Sequence, residues 1–123
     1  MAYKAVRVEK GRGGWGGPLT IRPTDEKNLI YCVTGGGIHP IAAKIAELTG
    51  AEAFDGFRSS APEKRIACVV IDCGGTARIG VYPMKRIPTI DVKQSSPSGP
   101  LIQFIKEDIF VSGVKEDNIK VIE

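Results

Sequence analysis

N-L-I-Y-C-V-T-G-G-G-I-H-P-I-A-A-K-I-A-E-L-T-G, Asn28 to Gly50, is the stretch on which the fold turns. Asn28 to Val33 is a short run of β-branched and aromatic residues, which suits a buried strand. Thr34-Gly35-Gly36-Gly37 ends it. Pro40 to Thr49 then carries Ile41, Ala42, Ile45, Ala46 and Leu48 at helical spacing. Pro40 sits where a first-turn proline belongs, and Gly50 stops the helix. A strand, a glycine turn and an amphipathic helix in immediate succession predict an α/β arrangement.

Working outward, Ala5-Val6-Arg7-Val8 alternates like a strand, and Leu19 to Arg22 resumes one. Between them Gly11-Arg12-Gly13-Gly14-Trp15-Gly16-Gly17-Pro18 can form only a loop or tight hairpin. Trp15 in that loop is expected to plug the core. Ile66 to Asp72 is a continuous apolar run ending in aspartate, as in a central strand with both faces covered. Ala77 to Tyr82 alternates and predicts a return strand. Thr89 to Val92 predicts another, Pro100 to Glu107 a second helix, and Ile109 to Val111 and Ile119 to Ile122 the last strands. The expected fold class is α/β: a mixed sheet of five or more short strands with about two helices, in one compact domain over residues 1–123. No internal repeat or low-complexity linker interrupts it.

The bulk properties narrow the function. The chain has 123 residues, 42% of them hydrophobic, with 17 Lys and Arg against 14 Asp and Glu. A net charge of +3 is too mild to indicate nucleic acid. The apolar run Ala67 to Ile71 is far too short to span a bilayer, and the first residues lack the apolar core of a signal peptide. A cytoplasmic protein is expected. Three cysteines without a CxxC pair, and one histidine, make neither a disulfide framework nor a structural zinc site.

The chemistry concentrates at Val69 to Pro83, V-V-I-D-C-G-G-T-A-R-I-G-V-Y-P. A cysteine reacts as thiolate and needs positive potential to lower its pKa. Gly74 and Gly75 after Cys73 allow consecutive N–H groups to converge on an anion. Thr76 adds a hydroxyl donor, and Arg78 a planar fork suited to phosphate oxygens. The grouping is similar to the loop of cysteine-dependent phosphatases, but four residues separate Cys73 from Arg78 where that loop has five. The competing reading is an inert cysteine at a strand end, a glycine hairpin and an exposed arginine, and spacing leaves the two balanced. Cys68 and Cys32 read as core thiols, and His39 as a cap or solvent-exposed residue. Gly35 to Gly37 match neither a dinucleotide fingerprint nor a Walker loop. Lys85 and Arg86 offer either a positive rim to the anion site or solvated charges on a connection.

A resemblance decides between these readings. Gly11 to Leu19 (G-R-G-G-W-G-G-P-L), Val70 to Gly75 (V-I-D-C-G-G), Arg86 to Ile90 (R-I-P-T-I), Ser98 to Leu101 (S-G-P-L) and Glu107 to Val114 (E-D-I-F-V-S-G-V) resemble, in the same order, the glucitol/sorbitol-specific enzyme IIB domain of the bacterial phosphoenolpyruvate-dependent sugar phosphotransferase system. The resemblance implies a phosphoryl carrier, with Cys73 matching the family's phosphorylated cysteine. It implies a IIA phosphohistidine as donor, and glucitol or sorbitol bound in the IIC membrane component as final acceptor. No metal or organic cofactor is expected. The expected location is the cytoplasmic face of the membrane, through the IIC component. Relatives often continue into membrane segments that are absent from this sequence, so either a separate subunit or an excised domain is expected. A phosphatase or a non-catalytic binding module on the same fold is the alternative.

Overall fold

The computed structural model describes residues 3–72, 80–97 and 99–122. Eight strands and two α-helices are seen among them: β1 (Val6–Val8), β2 (Leu19–Ile21), β3 (Leu29–Val33), α1 (Pro40–Thr49), β4 (Glu52–Asp55), β5 (Ile66–Ile71), α2 (Val81–Met84), β6 (Thr89–Asp91), β7 (Phe110–Ser112) and β8 (Ile119–Val121). They form two sheets. Five strands run in the order β4-β3-β5-β6-β7, and three in the order β2-β1-β8. Every pairing in the larger sheet is parallel, and both pairings in the smaller one are antiparallel.

The apolar run that predicted a central strand is β5, third of the five. Both its faces are covered, as its near-continuous hydrophobicity requires. Pleating sends Ile30, Cys32, Cys68, Val70, Ile90 and Val111 to one face, where Ile41, Ala42 and Ile45 of α1 meet Val6, Val8, Leu19, Ile21 and Ile119 of the small sheet. Tyr31, Val69, Ile71 and Phe110 point the other way, onto Ile87, Ile105 and Ile109. A bulge at the start of β5, where Leu29 faces Ile66 but Ile30 faces Cys68, inserts Ala67 into the strand and sets this alternation.

Helix α1 forms for the reasons its sequence carries. His39 caps it, its Nδ1 accepting the Ile41 N–H at 3.1 Å. Gly50 closes it at φ 85°, and the Gly50 N–H donates to the Ala46 carbonyl at 2.8 Å. That left-handed conformation is nearly free only for glycine.

The Gly11–Pro18 segment is a loop whose glycines let backbone lie on backbone. Gly16 bridges Val111 antiparallel, the Gly17 N–H donates to the Phe110 carbonyl and the Ser112 N–H to the Trp15 carbonyl. A Cβ on Gly14 or Gly16 would collide with the carbonyl oxygens of Ser112 and Phe110. The loop thus covers the open edge of β7, which would otherwise present unpaired backbone groups. Trp15 is half-buried against Phe110, ring centroids 6.2 Å apart, in keeping with the expected core role.

Two expectations need correction, and one strand was not foreseen. The return strand over Ala77 to Tyr82 is not seen: residues 77–79 lie outside the described residues, and Val81–Met84 is a short helix. Because β5 and β6 are parallel, the chain must cross over before re-entering the sheet. Pro83 falls in the first helical turn, where its missing N–H leaves no bond unmade. The helix over Pro100 to Glu107 reduces to one 3₁₀ turn, Ile102–Phe104. Only Ile105 in that segment is buried, too little apolar stripe to hold a longer helix. Strand β4 was not anticipated, since its partly exposed residues show no alternation; pairing with β3 makes it a strand.

Candidate functional site at the carboxyl edge of the parallel sheet

Numbered along the sheet, the five parallel strands follow the order 2-1-3-4-5. The direction in which successive strands are added across the sheet reverses between β3 and β5: α1, after β3, packs on one face, and Tyr82 of α2, after β5, packs on the other. In open α/β sheets the crevice outside the strand carboxyl ends at such a switch point is where ligands are held. Here it lies between the ends of β3 and β5, beside Thr34 to His39 and Asp72.

The β3 side is organised around a sulfur. Cys32, fully buried, accepts the His39 N–H on Sγ at 3.2 Å and donates to the Gly37 carbonyl at 3.4 Å. Thr34 Oγ1 donates to the same carbonyl at 3.2 Å. These bonds pin the glycine turn to the strand end and aim it into α1. Cys32 and Cys68 are both free thiols. Burial pushes the Cys68 thiol up to about 12, so at neutral pH it is a protonated core residue, as the sequence suggested.

An open cleft of about 540 Å³ lies along this edge, with His39, Asp72, Val92, Lys93, Lys115 and Glu116 among its lining. Lys93 Nζ stands 3.8 Å from Asp72 Oδ1. The Lys93 backbone is held by a buried polar network that the sequence reading missed. Asp91, inaccessible at the end of β6, accepts the Lys93 N–H on Oδ1 at 3.0 Å and the Ser95 hydroxyl on Oδ2 at 2.8 Å. Ser112 Oγ donates to the Ser95 carbonyl at 2.6 Å and accepts the Trp15 N–H at 2.8 Å. The signal was present in Ile90-Asp91-Val92: a carboxylate inside an apolar strand must find partners.

Of the residues singled out from sequence, Cys73, Gly74, Gly75, Thr76 and Arg78 lie outside the described residues. Cys73 is bonded to Asp72, directly after the central strand. Lys85 and Arg86 sit at the opposite end of the sheet. Lys85 Nζ is 2.5 Å from Glu63 Oε2, just ahead of β5, and Arg86 Nη2 is 3.2 Å from Asp108 Oδ2, just ahead of β7. The hydrogen bond to Glu63 holds the Lys85 ammonium above its ordinary pKa. Among the described residues, no cluster of three or more His, Cys, Asp or Glu could hold a metal ion, and no helix is long and apolar enough to cross a membrane.

Strand order and the covered central strand define a doubly wound α/β domain, a class in which ligands are held at the switch point. The chain belongs to the sorbitol phosphotransferase enzyme II N-terminus family, whose pattern matches residues 5–123. It is also 51% identical over 122 residues, 98% of its length, to a Clostridium beijerinckii protein named PTS system glucitol/sorbitol-specific EIIB component. The chain spans 36% of that relative's length. No solved structure matches it.

Proposed function

We propose that this chain is the phosphoryl-carrying domain of a sugar phosphotransferase system for glucitol or sorbitol, with Cys73 as the carrier. The observation that supports this most directly is that the central strand β5 runs out at Ile71 and Asp72, the residue before Cys73 in the chain, lines the cleft at the carboxyl edge where this strand order holds ligands. Family membership supports it independently, as does the name of the Clostridium relative.

In this reading the Cys73 thiolate attacks the phosphorus of a IIA phosphohistidine in line. The S–P bond forms as the N–P bond breaks, and the imidazole leaves. A hydroxyl of the sugar alcohol held by IIC then attacks the same phosphorus, the S–P bond breaks, the thiolate is regenerated and the hydroxyl proton leaves to solvent. The transferring group carries its charge on three equatorial oxygens, so catalysis is positioning plus electrostatic stabilisation. The N–H groups of Gly74 and Gly75, the Thr76 hydroxyl and the Arg78 guanidinium would supply the donors. The domain acts at the cytoplasmic face of the membrane through IIC. Lys85 and Arg86, paired with carboxylates at the far end of the sheet, serve that end of the fold in this reading, and the partner rim passes to the 540 Å³ cleft.

The test is incubation with phosphoenolpyruvate, the two general phosphotransferase proteins and the cognate IIA, followed by mass spectrometry under non-acidic conditions. A phosphate adduct on the Cys73 peptide, absent in Cys73→Ser, is expected. No adduct alongside fully phosphorylated IIA would sink the carrier reading. Hydrolysis of an aryl phosphate without any partner would favour a phosphatase instead.

A further inference from the structure

Phe57 is the most exposed large apolar side chain among the described residues, at 57%, yet its backbone is firmly held. The Phe57 and Arg58 N–H groups both donate to Asp55 Oδ1, at 3.1 and 3.3 Å. The Gly56 N–H donates to the Cys32 carbonyl at 2.8 Å, and Gly56 lies so close to the Tyr31 ring that a Cβ there would overlap it. The Phe57 ring rests over Gly35, its nearest carbon 3.6 Å from where a Gly35 Cβ would stand. Ile38, 39% exposed, adds a second exposed apolar side chain on the same glycine turn. An aromatic ring on a turn fixed in this way meets a partner without the entropy cost of ordering a loose loop.

The position of this ring identifies what would cover it. Strand β4 runs parallel to β3, so Phe57, just beyond Asp55, stands at the carboxyl edge, on the flank of the crevice between β3 and β5. Neighbouring strands lie about 4.8 Å apart, which sets the end of β4 about 7 Å from the middle of that crevice. A specific protein–protein contact covers about 800 Å² on each partner, a disc about 16 Å in radius. A protein seated on the crevice therefore covers Phe57 as well, whereas a small ligand held in the crevice has no need of it. Ile122, 47% exposed, offers a comparison at the opposite edge: its N–H donates to the Ala5 carbonyl, and the neighbouring Lys4 N–H donates to Thr49 at the far end of α1.

We infer that Phe57 is an anchoring contact for the protein that delivers the phosphoryl group to this edge. This rests on the chain being a phosphoryl carrier. The experiment compares wild type with Phe57→Ser, Phe57→Leu and Ile122→Ser. Two readouts are taken on each: the Kd for unphosphorylated cognate IIA by calorimetry, and KM and kcat with phosphorylated IIA as donor. Phe57→Ser should raise both Kd and KM about tenfold, the scale of losing one aromatic anchor from an interface, with kcat at saturating donor unchanged. Phe57→Leu should recover most of the loss, and Ile122→Ser should match wild type. A Phe57→Ser protein with the Kd and KM of wild type overturns the inference. So does an equal loss in Ile122→Ser, or a fall in kcat at unchanged KM. If wild type binds IIA but takes up no phosphate, the carrier reading fails by itself, while the Kd values still decide whether Phe57 is the docking contact.

Discussion

His39 shows what one side chain does for the carboxyl edge. Its ring caps α1 through Nδ1 while its backbone N–H ties the helix entry to Cys32. Removing the cap in His39→Ala should cost about 1 kcal/mol, and His39→Asn should recover most of it; denaturant midpoints of the three proteins check this. Cys68 makes a prediction of opposite character. Its thiol is held protonated to about pH 12 in the folded protein, against an ordinary 9.0. The unfolded chain therefore releases its proton first as pH rises. The stability that Cys68 contributes is complete below pH 9 and lost progressively between about 9 and 12. The slope of stability against pH in that window should be shallower in Cys68→Ala than in wild type.

Among the elements, α1 and the Gly11–Pro18 loop hold the parallel sheet in different ways. Helix α1 contributes burial: Ile45 is inaccessible, and Ile45→Ala should cost about 2–5 kcal/mol, against little for Glu47→Ala on the exposed side. The loop contributes backbone contact, which only glycine permits. Gly16→Ala would set a methyl against the Phe110 carbonyl at a φ of 85°. It should therefore lift the loop from the β7 edge, lowering the thermal midpoint and promoting aggregation measurable by light scattering. These two elements were legible to different degrees. The spacing of Ile41, Ala42, Ile45 and Ala46 with Pro40 and Gly50 states a helix outright. The glycine run states only that a loop exists, because the edge it covers belongs to a strand about a hundred residues further on.

At the scale of the whole molecule, the polar network through Asp91, Ser95 and Ser112 joins β6, β7 and the Trp15 loop. Ser112→Ala would leave the half-buried Trp15 N–H without its Ser112 acceptor and the Ser95 carbonyl without its donor, and should cost about 1–3 kcal/mol in a denaturant titration. It should also loosen the segment bearing Lys93, raising amide exchange at Lys93 and Ser95. The sequence by itself determined the α/β class, a central strand beginning at Ile66 and the helix α1, because hydrophobic period and backbone-restricted residues act over a few neighbours. It also marked Cys73 by its companions. Tertiary structure alone decided the strand order, and with it the switch point beyond β3 and β5. It also sent Lys85 and Arg86 to one end of the sheet and Lys93 to the other. Which cation meets which carboxylate depends on pairings between residues as far apart as Asp72 and Lys93, and no local pattern in the chain encodes a distance across the sheet.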